Sequence, residues 1–231
     1  MKRRTRTEFA LEPDAERMVA KEQIDEIFTI LSKHIRKPKS ELDFDSNFQL
    51  LVAVILSAQS TDVAVNGVTA RLFRVAPTPR KMLRLGEEKL KSYIRSLGLF
   101  NNKAKNLMRT AKLLVEEYGS AVPNDRAALE RLPGVGRKSA GVVLNVAFGE
   151  NTIPVDTHVF RVANRTGLAN AKTAVKTERQ LMQTVPAWVG KDAHHLLILH
   201  GRYTCKARKP LCRSCPIVRL CLHAERHPEF S

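Results

Sequence analysis

The chain has 231 residues, with 39 Lys and Arg against 23 Asp and Glu and a formal net charge of +16. Hydrophobic residues make up 43% and charged residues 27%, which supplies a core for one large domain or two small ones and excludes disorder of the whole. The longest apolar stretch, residues 50–56, is too short to cross a bilayer, and the basic residues 2–6 lead into no apolar stretch of a secretory signal. The expectation is a soluble, cytoplasmic protein with no membrane partner. Its excess of positive charge points to a polyanion, most commonly nucleic acid.

In chain order, residues 1–17 are polar, four of the first six are Lys or Arg, and they are expected to form a basic flexible arm. Helical periodicity then runs through 19–33, 48–56, 62–75 and 87–97. In 101–119 the logic is plainest. Ala104, Leu107, Met108, Ala111, Leu114, Val115 and Tyr118 recur at three- and four-residue steps, with Lys103, Lys105, Arg109 and Lys112 at other positions. Asn101 or Asn102 can cap this helix and Gly119 can end it. Further helices are predicted at 126–132, 138–148, 157–166, 176–185 and 191–200. No period-two strand stands out, so the fold class is all-α. Ala76-Pro-Thr-Pro79, Pro123-Asn-Asp125 and Pro133-Gly-Val-Gly136 read as short connections.

Two segments carry chemistry. All four cysteines, Cys205, Cys212, Cys215 and Cys221, fall in the last 27 residues. A secreted disulfide framework would spread them through a small chain, so a four-thiolate metal site is favoured, with zinc and an iron–sulfur cluster equally compatible in ligand count. Residues 193–224 around them contain no Asp or Glu but hold Arg202, Lys206, Arg208, Lys209, Arg213 and Arg219, which suits phosphate binding. Upstream, Leu132-Pro-Gly-Val-Gly-Arg-Lys138 joins two helical patterns. Gly134 and Gly136 are expected to permit a tight turn with positive φ and no Cβ, and a helix N-terminus follows that favours an anion. It looks like a helix-hairpin-helix, a sequence-independent binder of the DNA backbone.

From here the likeness becomes specific. Leu132-Pro-Gly-Val-Gly-Arg-Lys-Ser-Ala140, Val155-Asp-Thr-His-Val-Phe-Arg-Val-Ala-Asn-Arg165, His200-Gly-Arg-Tyr-Thr-Cys205, the Cys-x6-Cys-x2-Cys-x5-Cys spacing and Leu56-Ser-Ala-Gln-Ser-Thr-Asp62 resemble, in order, the signature segments of the endonuclease III family of DNA glycosylases. The resemblance covers about residues 19–226. It implies a two-domain helix-hairpin-helix glycosylase fold, with a central domain at 40–150 (hairpin about 126–149) and an iron–sulfur domain made of 18–39 plus 151–231. It also implies a [4Fe–4S] cluster on the four cysteines, with a structural role. The activity implied is excision of oxidised pyrimidines from duplex DNA followed by β-elimination at the abasic site, performed by a monomer.

Residue by residue, the resemblance makes Lys138 the amine that attacks the sugar C1′ and Asp156 the carboxylate that relays a proton and stabilises positive charge on the sugar. At a reference pKa near 10.4 only about one lysine in two to three thousand is unprotonated at pH 7, so the site must lower that value or take the proton. Adjacent Arg137, the helix N-terminus and desolvation act downward. Read locally, Lys138 is a surface lysine and Asp156 a helix N-cap. Gln59 is the residue expected to fill the gap left by an extruded nucleotide, and Leu99 to wedge the opposite strand, since extrusion costs stacking that inserted groups replace. Locally they read as a loop amide and a helix-terminal core residue. Lys209 on the first inter-cysteine loop is expected to contact phosphate. His158, His194, His195 and His200 are assigned no metal. Two alternatives remain: a monofunctional mismatch glycosylase of the same fold, against which Lys138 and the absence of a long extension after Cys221 both argue, and a non-enzymatic DNA-binding module with a structural metal.

Overall fold

The computed structural model describes residues 17–227, and among them there is no β-strand. The first sixteen residues of the expected arm lie outside the described residues. Arg17, its last residue, is held by an ion pair to Glu225 at 2.8 Å.

Helices α1 (Lys21–His34), α2 (Asn47–Leu56), α3 (Asp62–Val75), α4 (Pro79–Leu85), α5 (Glu87–Ile94), α6 (Phe100–Glu117), α7 (Arg126–Arg131) and α8 (Arg137–Phe148) lead into α9 (Thr157–Thr166), α10 (Ala174–Thr184), α11 (Asp192–Tyr203) and the short α12 (Leu222–Arg226). Two 3-10 turns, Cys212–Ser214 and Val218–Leu220, separate α11 from α12. The element order thus follows the predicted pattern with two additions, α4 and the short α12. The Pro-rich stretch after Ala76 is not only a connection, because α4 starts inside it. Thr78 caps that helix by accepting from the Lys81 amide, Pro79 occupies the first turn, and Met82 is fully buried. Proline fits a first helical turn because its missing N–H would have no intrahelical partner there.

Two separate clusters of buried side chains organise these helices. One draws on α2 to α8, and its centre is α2, whose residues Phe48 to Leu56 are all buried. That explains why 50–56 reads as an apolar run without a polar face, since a helix surrounded by others buries every side. Each such Leu, Ile or Val contributes about 1.5–3 kcal/mol. The other cluster joins α1 to α9, α10, α11 and α12, with Ile27, Phe28, Leu31, Val159, Val162 and Leu197 at its centre. Polar links cross between the two. The buried Asn145 amide on α8 donates to the carbonyls of Thr152 and Lys191 at 3.0 and 2.9 Å, and the Thr152 hydroxyl donates to Gly141 O at 2.7 Å.

Candidate functional site

The hairpin between α7 and α8 is built by packing. Asp125 caps α7 by accepting from the Ala128 amide, and Leu129, Leu132, Val135 and Ala140 are buried around the turn. Gly134 has φ +85°, and a Cβ there would stand 3.1 Å from the Asn106 side-chain nitrogen and 3.3 Å from an Ile55 methyl. Gly136 corrects the sequence reading, because its φ is −98° and nothing lies within 4 Å of a Cβ built on it. Its value lies in open space beside the start of α8. That start has no side-chain cap, and an uncapped helix start of this kind favours an anion.

Lys138, in the first turn of α8, places Nζ 3.8 Å from Asp156 Oδ2. The Asp156 side chain is 14% exposed and Lys138 52%. Asp156 Oδ1 meanwhile accepts from the His158 and Val159 amides at 2.9 and 2.8 Å, capping α9. The cap reading and the pairing with Lys138 are both met by one carboxylate, each through its own oxygen. At 3.8 Å the two groups are not hydrogen-bonded, so the Lys138 amine is not committed to Asp156.

Arg137 sits differently from the sequence reading. Its Nε and Nη2 donate to the two carboxylate oxygens of Glu178 on α10 at 2.8 and 3.1 Å, a bidentate pair that joins the hairpin to the second cluster. Arg126 flanks the same buried carboxylate at 3.7 Å. The Arg137 charge is therefore matched by Glu178, which removes it as a simple source of positive potential on Lys138.

Beside Lys138 lies a cavity of about 320 Å³ that reaches between the two clusters. Gln59, Ser57, Asp62, His194, His195 and Arg202 are among its lining residues. Sequence reasoning missed two features of it. Arg202 is held by both Glu41 and Asp62, the latter at 2.6 Å, partners 161 and 140 residues away that no local pattern connects. His194 is fully buried and edge-on to His195. Burial, with His195 next, pushes its pKa down to about 3, so the ring is neutral.

Gln59 and Leu99 both adopt left-handed backbone, with φ of 54° and 58°. Such a conformation costs a non-glycine residue on the order of 1–3 kcal/mol. Leu99 is 54% exposed, which overturns its local reading as a core residue. The two loops lie side by side, since a Cβ on Gly98 would be 3.9 Å from the Gln59 carbonyl.

The four cysteines line one small cavity together with Thr166, His200 and Ile217. No group of three or more His, Cys, Asp or Glu among the described residues converges closely enough to hold a single metal ion. Arg165 Nη1 donates to Cys205 Sγ at 3.6 Å, and His200 Nε2 is 3.7 Å from Cys215 Sγ. Desolvation pushes the Cys215 thiol up to about 12 and raises Cys212 and Cys221 as well. A strongly cationic centre would be needed to hold them as thiolates, and the all-sulfur donor set fits an iron–sulfur cluster. Lys209 is exposed on the loop between Cys205 and Cys212. Arg165 pins that loop by donating to the carbonyls of Lys206 and Ala207 at 2.8 and 2.9 Å.

The chain is similar to known proteins throughout this region. Residues 52–187 match the family described as HhH-GPD superfamily base excision DNA repair protein. Endonuclease III of Escherichia coli (strain K12) is 56% identical over 201 residues, which is 87% of this chain and 95% of that protein. Endonuclease III of Rickettsia conorii is 56% identical over 198 residues, 86% of this chain and 94% of that one. Among solved structures, a trapped endonuclease III–DNA covalent intermediate superposes with a TM-score of 0.85 at 42% identity, covering 91% of this chain and all of the other. A non-covalent endonuclease III–DNA complex gives 0.86 at 41% identity, covering 92% and 100%.

Proposed function

Because the chain belongs to the endonuclease III family of HhH-GPD base excision DNA repair proteins, we propose that it is a bifunctional DNA glycosylase and abasic-site lyase. Its substrate is duplex DNA carrying oxidised pyrimidines or abasic sites, and it works as a monomer in the cytoplasm. No helix among the described residues is long and apolar enough to cross a membrane. The observation that carries the reading is the approach of Lys138 Nζ to Asp156 at the open start of α8, beside a cavity within the size range of small-ligand sites.

The Lys138 ammonium gives up a proton, and its lone pair forms a bond to C1′. The glycosidic bond breaks and its electron pair leaves with the base, which takes up a proton. The new C1′–nitrogen ammonium loses a proton as O4′ gains one, and the nitrogen lone pair then breaks C1′–O4′, opening the sugar ring to a 4′-hydroxyl and an iminium between Nζ and C1′. Loss of a C2′ proton then expels the 3′ phosphate oxygen, and water hydrolyses the imine to restore the amine. Asp156 Oδ2 faces the amine, where it takes the proton and opposes positive charge at C1′. Its other oxygen, fixed by two amides of α9, prevents the carboxylate from turning away.

Gln59 and Leu99 insert where the nucleotide has left. The first amides of α8, after Gly136, and the exposed Lys209 approach phosphates. Arg137 joins them through its Nη1 edge, which Glu178 leaves uncommitted. A [4Fe–4S] cluster held by Cys205, Cys212, Cys215 and Cys221 supplies a structural cross-link and no electron to the reaction. Its support is the shared cavity of the four sulfurs. The two buried clusters support a division into a domain at 40–150 and another made of 18–39 plus 151–231.

The test is borohydride reduction of the protein on an oligonucleotide bearing an abasic site. A covalent adduct that disappears in Lys138→Gln supports the proposal. Undiminished adduct in that variant overturns the assignment of the nucleophile, and no adduct with the unaltered protein overturns the lyase.

A further inference from the structure

Lys103 is the one lysine among the described residues that is buried, at 4% exposure. It lies in the first turn of α6, immediately after Leu99. Its backbone amide donates to the Leu99 carbonyl at 3.0 Å, and its Nζ donates to Ser60 Oγ, next to Gln59, at 2.8 Å. It has no acidic partner among the described residues, and desolvation lowers its pKa. Burying an ammonium without a counter-charge is costly, and packing alone does not call for it, because Met has nearly the same shape.

What Lys103 touches is therefore the informative observation. Gln59 and Leu99, both in left-handed backbone, stand on two separate loops, one after α2 and one before α6. Lys103 is bonded to the residue after the first and to the carbonyl of the second. We infer that Lys103 is a positioning residue for nucleotide extrusion, its backbone and side chain fixing the spacing between the two inserting side chains. This rests on the proposed insertion of Gln59 and Leu99. Insertion on both strands at once needs two groups at a set separation, and two loops in contact but joined by no other hydrogen bond among the described residues would reach it only in part of their population.

The experiment compares single-turnover excision of thymine glycol, at saturating enzyme, from a fully paired duplex and from a three-nucleotide mismatch bubble, where little stacking remains to be broken. Lys103→Met is expected to slow the paired substrate roughly ten- to a hundredfold, as misplacement of a binding group by about 1 Å does, while the bubble substrate is cleaved at close to the unaltered rate. Melting temperature and affinity for undamaged duplex should hold. Ser60→Ala, which removes the other end of the bond without touching the core, should give the same pattern, and the double variant should be no slower than the slower single. An unaltered rate of Lys103→Met on the paired substrate overturns the inference. So does an equal loss on both substrates, which would place the residue in the chemistry or the general fold. Gln59→Ala and Leu99→Ala run alongside separate the two readings. If neither slows the paired substrate, insertion itself fails, and if both do while Lys103→Met does not, only the role of Lys103 falls.

Discussion

The hairpin at 132–137 and the cysteine segment at 205–221 both present backbone and basic side chains at the surface, yet they are held in opposite ways. In the hairpin, Leu132 and Val135 are buried, the Val135 amide donates to the Leu132 carbonyl at 3.0 Å, and Gly134 is wedged against Asn106 and Ile55. Between Cys205 and Cys221 only Ile217 is buried, and regular structure is limited to two 3-10 turns. Side-chain packing therefore shapes the first region, whereas the second relies on the Arg165 bonds to the Lys206 and Ala207 carbonyls and, on the proposed reading, on ligand bonds from the four cysteines. Lys138 lies on the packed side, in the first turn of α8, and the exposed Lys209 on the cysteine side.

That division can be broken in graded steps. The largest effect belongs to Lys138→Gln, which should eliminate borohydride trapping while DNA binding persists. Next is Asp156→Asn. Asn caps a helix nearly as well as Asp, so stability should change by less than about 0.5 kcal/mol, whereas single-turnover excision should fall on the order of 10²–10⁴-fold. A nearly normal rate for Asp156→Asn would leave the carboxylate with its capping role alone. On the cysteine side, the purified protein should be yellow-brown and contain iron. Cys215→Ala should lose the colour, weaken duplex binding and lower the melting temperature. Colourless, zinc-loaded and active protein would refute the cluster. The smallest effect is Lys209→Ala, which should weaken binding to damaged and undamaged duplex alike and reduce the salt dependence by about one unit. A rate defect in Lys209→Ala that saturating enzyme cannot rescue would merge the two regions into one functional unit.

The sequence yields most where the cause is local. The periodicity of 101–119 corresponds to α6, and the cap at Asp156 corresponds to its bonds with the His158 and Val159 amides. It fails where the cause is long-range. Nothing near Arg137 announces Glu178, 41 residues on, and nothing near Arg202 announces Glu41 or Asp62. The prolines before α4 look like breaks because a first-turn proline and a loop proline share the same neighbours. Lys103 reads as one more solvated cation in a helical pattern, and only burial sets it apart. Lys138 and Asp156 became a pair in the sequence only through the family resemblance, since local signals give a surface lysine and a cap.

The placement of α1 has a consequence for how the protein is born. Its buried face, Ile24, Ile27, Phe28 and Leu31, packs with α9 and α11, and the Trp188 indole donates to Asp25 at 2.8 Å. The helices that form the first cluster are contiguous, so they can collapse while the ribosome is still at work, α8 with Lys138 included. Helix α1, made before all of them, must wait, its apolar face uncovered, for partners made in the last third of the chain. Its docking and the closing of the cysteine loop therefore come late, and the second cluster, with Asp156 at the cap of α9, completes itself on a first cluster that already carries Lys138.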